Sequence, residues 1–120
     1  MFTISKEFHF SASHVLDRLP DTHPCARMHG HNYVVVLELS AEDEDRTDSG
    51  FVRDFCELSV FKAWVDAALD HRHLNEAMAG LPPSAENLAK WIFDTWAGEF
   101  PELGAVKVSE TPKTWAVYRP

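Results

Sequence analysis

Phe2, Ile4, Lys6, Phe8, Phe10, Ala12 and His14 share one parity and are mostly apolar, whereas Thr3, Ser5, Glu7, His9, Ser11 and Ser13 fill the other. Side chains alternate across a strand, so this pattern predicts a strand with one buried face, and His14 lies at the end of that face. A second strand is expected from His29 to Ser40, with β-branched residues at the centre of Tyr33-Val34-Val35-Val36-Leu37-Glu38-Leu39. His29, His31, Tyr33, Val35, Leu37 and Leu39 share its face. After Gly50 the period changes. Leu58, Phe61, Val65, Ala68 and Leu69 form a helical stripe between about Phe55 and Leu69, ending before Asp70-His71-Arg72-His73. Ser84, behind Pro82-Pro83, is placed to cap a second helix, with Glu86 in its first turn and Leu88, Trp91, Ile92 and Trp96 on its apolar side. Two short strands, Ala105 to Glu110 and Thr114 to Tyr118, close the chain around a turn containing Pro112.

The resulting order, β-β-α-α-β-β, predicts an α+β fold in which two helices cover one face of a four-stranded antiparallel sheet. Residues 1–120 form one domain, without repeat, linker or low-complexity segment. Four short strands cannot close a barrel alone, and their outer edges carry unpaired backbone groups that natural proteins hide, often against another subunit. A ring-like homo-oligomer is expected.

Composition narrows the class. At 45% hydrophobic and 25% charged residues the chain is ordinary for a globular protein, and no stretch approaches the roughly 20 apolar residues of a membrane span. A formal charge of −8 argues against a nucleic-acid surface but leaves room for a local anion pocket. Much of the acidity lies in Glu42-Asp43-Glu44-Asp45, a solvated turn. Met1-Phe2-Thr3-Ile4 runs into the first strand without a basic-then-apolar leader, which makes the cytoplasm the expected compartment. Cys25 and Cys56 lack Cys-x-x-Cys spacing and read as free thiols.

The chemistry concentrates in the first quarter. His29 and His31 point to one side of a strand, and His14 ends a separate apolar face, so three imidazoles from two elements can converge on one ion. Three neutral imidazoles leave a fourth position open, which is the layout of a catalytic zinc, and an all-imidazole set without carboxylates favours zinc over copper or iron. Cys25 stands four residues before His29 and two before Arg27. It is an inert thiol, a thiolate base made available by a nearby cation and metal, or a zinc ligand; the base role is favoured. Asp70-His71 stands at the end of the first helix, where the neighbouring His73 and Arg72 either simply cap helix carbonyls or leave a pair in which the carboxylate sets the histidine's tautomer for proton transfer. Glu110 shares parity with Val106 and Val108 and needs a partner for an inward carboxylate: a basic side chain, or a ligand presenting two adjacent N–H groups.

Six segments, in order, resemble the 6-pyruvoyl-tetrahydropterin synthase superfamily, and most of all its 6-carboxy-5,6,7,8-tetrahydropterin synthase branch. They are Phe8-His9-Phe10-Ser11-Ala12-Ser13-His14, Cys25-Ala26-Arg27-Met28-His29-Gly30-His31-Asn32, Gly50-Phe51-Val52-Arg53-Asp54-Phe55, Leu69-Asp70-His71-Arg72-His73-Leu74-Asn75, Ser84-Ala85-Glu86-Asn87-Leu88-Ala89 and Glu110-Thr111. The three residues between Cys25 and the His-Gly-His run resemble the carboxy branch; the animal pyruvoyl branch has a longer gap. Ser84-Ala85 departs from the family's more frequent Thr-Ser, and His9 stands where a small or hydroxyl residue is common.

The resemblance implies the tunnelling fold, with sheets joining between subunits into a barrel, a hexamer as the favoured homo-oligomer, and active sites at subunit interfaces. It also implies that His14, His29 and His31 are the zinc ligands, Cys25 the proton acceptor, His71 with Asp70 the acid/base relay and Glu110 the anchor of the pterin ring. Arg27 is a candidate contact for the triphosphate. The implied substrate is 7,8-dihydroneopterin triphosphate, converted to 6-carboxytetrahydropterin, acetaldehyde and triphosphate in queuosine biosynthesis. Two other functions fit the same residues: a 6-pyruvoyl-tetrahydropterin synthase, which eliminates triphosphate without losing the two-carbon fragment, and a non-catalytic, zinc-stabilised pterin-binding protein.

Overall fold

Strands β1 (Phe2–His14) and β2 (His29–Ala41) pair antiparallel over their whole length, from Phe2 opposite Ala41 to His14 opposite His29, in a computed structural model that describes residues 1–120. This register puts the apolar parity of both strands on one face: Phe8, Phe10, Ala12 and His14 are buried beside Tyr33, Val35, Leu37 and Leu39. Helix α1 (Ser59–Ala68) follows a 3-10 turn over Phe55–Leu58, in which the Asp54 carboxylate accepts from the Cys56 N–H. The apolar stripe predicts one helix over both; the structure opens it with a 3-10 turn, which is frequent at α-helix N-termini.

Beyond α1 the structure adds elements that the sequence did not predict. Arg72–His73 form strand β3, parallel to β1 at Ala12 and Ser13, and Leu74–Ala77 form a single helical turn, α2. Helix α3 (Ala85–Trp96) starts where expected, with the Ser84 hydroxyl accepting from the Asn87 N–H. Strands β4 (Leu103–Ser109) and β5 (Ala116–Tyr118) complete a sheet of order β3-β1-β2-β4-β5. The fold is α+β as predicted, with five strands rather than four, because the backbone after α1 turns back along the edge of β1.

The helices cover the apolar face. Leu58, Phe61, Val65 and Leu69 enter the core from α1 and its flanks, and Leu88, Ala89, Ile92 and Phe93 from α3. Trp91 and Trp96 sit half-buried between the helices against Trp64, at ring-centroid separations of 5.5 and 5.7 Å. No helix is long and apolar enough to cross a membrane. Phe61 is wholly buried, with its ring edge-on to Phe8 at 4.8 Å, and so joins helix to sheet. Replacing Phe61 by Ala should lower the unfolding free energy by about 3–5 kcal/mol in urea titrations at fixed protein concentration. A loss below about 1 kcal/mol would contradict this packing.

A candidate metal centre and its surroundings

The core narrows to a polar end at the last pair of the β1–β2 ladder. His14, from β1, meets His29 and His31, from β2, and one nitrogen of each ring lies within 4.8 Å of the others. His14 is fully buried; the other two are partly so. Their rings meet edge to face, with centroids 4.4, 4.9 and 5.0 Å apart.

Two backbone carbonyls decide which nitrogens face inward. His14 Nδ1 lies 2.8 Å from the Pro83 carbonyl and His29 Nδ1 lies 2.7 Å from the Arg27 carbonyl. A carbonyl can only accept, so both Nδ1 atoms carry the hydrogen, and the Nε2 atoms of the neutral rings hold bare lone pairs. Those two Nε2 atoms are 2.8 Å apart. Lone pairs at that distance repel unless a cation lies against both. Burial pushes the His14 and His31 imidazoles below their ordinary pKa, which disfavours the charged form of both rings. His31 Nε2 is buried without a hydrogen-bond partner. The donor set therefore fits a metal ion: three imidazoles, two with tautomers fixed for Nε2 ligation and one with an orphaned nitrogen.

Glu110, just past β4, brings its carboxylate to 3.9 Å from His31 Nε2, beyond hydrogen-bond distance, with three-quarters of the side chain covered. The parity reading placed it inward, and no Lys or Arg pairs with it. Cys25 lies in a 3-10 turn over Pro24–Ala26, outside the histidine cluster, with its N–H donating to His23 Nδ1 at 3.1 Å. The Cys25 carbonyl accepts from Leu16 N–H at 3.1 Å, which ties its turn to the chain two residues past His14. Arg27 ends the turn and forms no ion pair.

Asp70 and His71 lie along the edge of β1 that faces away from β2. Asp70 Oδ1 accepts from Ser11 N–H at 2.9 Å, and His71 N–H donates to the Ser11 carbonyl at 2.7 Å. His71 adopts φ 58°, a left-handed conformation that few residues other than glycine adopt, and points 84% of its side chain to solvent. Its Nδ1 is 3.0 Å from Asp70 Oδ2, so Nδ1 carries the hydrogen and Nε2 is left free. Within one chain this pair is not part of the histidine cluster.

The sequence profile of 6-pyruvoyl tetrahydropterin synthase matches residues 3–120. The chain belongs to the 6-pyruvoyl tetrahydropterin synthase family. A Bacillus subtilis 6-carboxy-5,6,7,8-tetrahydropterin synthase is 34% identical to this family member, over 99% of its chain and 86% of the relative. A Synechocystis protein of the same name is 36% identical over 98% and 93% of the two chains. The solved structure of Caenorhabditis elegans 6-pyruvoyl tetrahydropterin synthase superposes with a TM-score of 0.86 at 28% identity, covering 99% of this chain and 95% of that one. The tunnelling fold inferred from the motifs is thus the fold of this member of the family.

Three supporting groups escaped the sequence reading. The Pro83 carbonyl leaves no trace in residue type. Tyr33, two residues beyond His31 and so on the same strand face, places its hydroxyl oxygen 3.2 Å from His14 Nδ1. Asn75 accepts from Val15 N–H at 2.8 Å and donates to the Val15 carbonyl at 2.9 Å, acting as a strand partner for the residue after His14.

Hydrogen bonding from Ser11 N–H, and next from His71, holds the Asp70 carboxyl below its usual range. A lowered native pKa adds stability that is complete above the ordinary carboxylate pKa of about 4 and is lost as pH falls through the native value. Asp70→Asn should therefore flatten the acid side of the stability-versus-pH curve of the family member. Superimposable slopes below about pH 5 in wild type and variant would contradict the contact.

Proposed function

We propose that the chain is a zinc-dependent 6-carboxy-5,6,7,8-tetrahydropterin synthase, a lyase that converts 7,8-dihydroneopterin triphosphate to 6-carboxytetrahydropterin, acetaldehyde and triphosphate, in the cytoplasm and on the route to queuosine. The observation that carries this reading is the convergence of three imidazoles, two with carbonyl-fixed tautomers, beside an otherwise unpaired carboxylate. The names of the Bacillus subtilis and Synechocystis relatives support the carboxy branch.

His14, His29 and His31 would hold zinc, which when bound supplies a Lewis acid toward the hydroxyl oxygens of the substrate side chain. Glu110 accepts paired N–H bonds from the pterin ring and so orients the side chain toward the histidines. Cys25 removes a proton from the carbon next to the held oxygens, its turn being tied beside His14. His71, with Asp70 fixing its tautomer, exchanges a proton through its free Nε2 on the opposite side. Arg27, without a carboxylate partner, is available to the triphosphate.

Because the Asp70–His71 pair lies on the strand edge of its own chain, the assignment has it serve the cluster of a second copy. The sheet supports such assembly: β1 is paired on its outer side at Ala12 and Ser13 alone, and β5 has one neighbour. Both edges are open to a homo-oligomer, a hexamer in this reading, with active sites at the subunit boundaries.

Likeness to the Caenorhabditis elegans enzyme keeps a 6-pyruvoyl-tetrahydropterin synthase as the second reading. Incubating the zinc-loaded protein with dihydroneopterin triphosphate separates the two: the proposal expects acetaldehyde and a 6-carboxy product by mass, and a pyruvoyl product without acetaldehyde would replace it. Cys25→Ala should lower kcat by at least about 100-fold with zinc content unchanged. Full activity in that variant would remove the base role of Cys25, and no turnover in wild type would leave a pterin-binding protein.

A further inference from the structure

On the sheet face opposite the helices, a cleft of about 560 Å³ runs past Ser11, Ser13, Asn32, His71, Arg72 and His73. The chain has 19 acidic residues against 11 Lys and Arg, yet no carboxylate lines this cleft. Its polar groups are left with donors to spare. Asn32 Oδ1 accepts from Ser11 Oγ at 2.7 Å, while the Asn32 amide N–H groups have no protein partner. Ser13 Oγ and His73 Nδ1 share a hydrogen bond of 2.9 Å, and whichever of the two donates in it, one further hydrogen, on Ser13 Oγ or on His73 Nε2, is left for a ligand. Arg46, Arg53 and Arg119 each pair with a carboxylate; Arg72 pairs with none. A guanidinium, amide N–H groups and the spare hydrogen of the Ser13–His73 pair around one open space match a ligand made of acceptor oxygens and negative charge.

We infer that this cleft is a phosphoryl-anion site built around Arg72, with Asn32 and the Ser13–His73 pair completing the donor set. The inference rests on the proposed function for the source of the anion, which is the triphosphate tail of the substrate or the free triphosphate released from it. His31 links the two sites, since it lines the cleft and belongs to the histidine cluster. A phosphoryl chain in the cleft therefore lies on the approach to the metal centre. The peptide geometry holds the donors rigidly: Ser11 and Ser13 are in β1, Asn32 is in β2, and Arg72 and His73 form β3. Arg27, at the end of the Cys25 turn, is not part of this set.

Calorimetric titration of the zinc-loaded full chain with inorganic tripolyphosphate, at fixed ionic strength, tests the site. Wild type should bind, Arg72→Gln should bind about tenfold or more weakly, and Lys62→Gln, which removes an exposed cation on α1, should match wild type. Two kinetic readouts separate the sources. A raised KM for the pterin triphosphate in Arg72→Gln assigns the cleft to the substrate's tail, and an unchanged KM with weakened tripolyphosphate inhibition assigns it to the released product. Equal tripolyphosphate affinity in wild type and Arg72→Gln, or no binding by wild type, would overturn the inference. Tripolyphosphate held through Arg72 by a protein that converts no pterin triphosphate would leave the cleft standing and remove the proposed reaction instead.

Discussion

Two backbone carbonyls, those of Pro83 and Arg27, impose the constraint on which the site depends. By accepting from His14 Nδ1 and His29 Nδ1 they turn two lone pairs toward each other across 2.8 Å. Burial disfavours the charged form of His14, and with the His31 nitrogen converging on the same point a metal ion is the cation that suits this geometry. The surrounding fold can be read as the means of delivering those carbonyls. Asn87 donates to the Pro82 carbonyl at 2.9 Å while its N–H reaches Ser84 Oγ, which anchors the proline turn to the start of α3. The cap of a helix and the tautomer of a histidine in the candidate metal centre are thus set by the same few residues.

The segment from Asp70 to Asn75 performs a similar service for the other half of the chemistry. It runs beside residues 11–15 of β1, joined through Ser11, Ser13 and Val15. His14 projects from the same stretch of strand into the core. One rib of backbone therefore holds the Asp70–His71 pair, Arg72 and His73 of the open cleft and the residue following His14 in a fixed relation. Rigid placement of this kind is what proton transfer and anion binding demand, because their strength falls steeply with misalignment.

Much of the fold could be read from the residues because the two long strands obey strict alternation and the helices a clear stripe. His14 at the end of a buried parity and His29 and His31 on one strand face were legible for the same reason. Strand β3 was not, since Arg72 and His73 carry no apolar pattern and their pairing comes from backbone bonds to residues about sixty positions away. The wider face of α3 also escaped: Ala89 and Phe93 are buried too, and Phe93 packs against Tyr118 of β5 at 5.2 Å, a neighbour that periodicity alone does not reveal. Asp70–His71 reads in sequence only as the end of a helix, and its contact with Ser11 is a tertiary fact. Carbonyl partners such as Pro83 have no signature in residue type at all.

The central claim is that three imidazoles, and no thiolate, hold one ion with a position left open. X-ray absorption at the zinc edge of protein purified without added chelator measures this directly. The account predicts one zinc per chain with nitrogen neighbours at about 2.0–2.1 Å, one further light atom, and loss of the signal in His29→Ala. A sulfur neighbour at about 2.3 Å, which would put Cys25 on the ion, or a protein that takes up no metal, would contradict it.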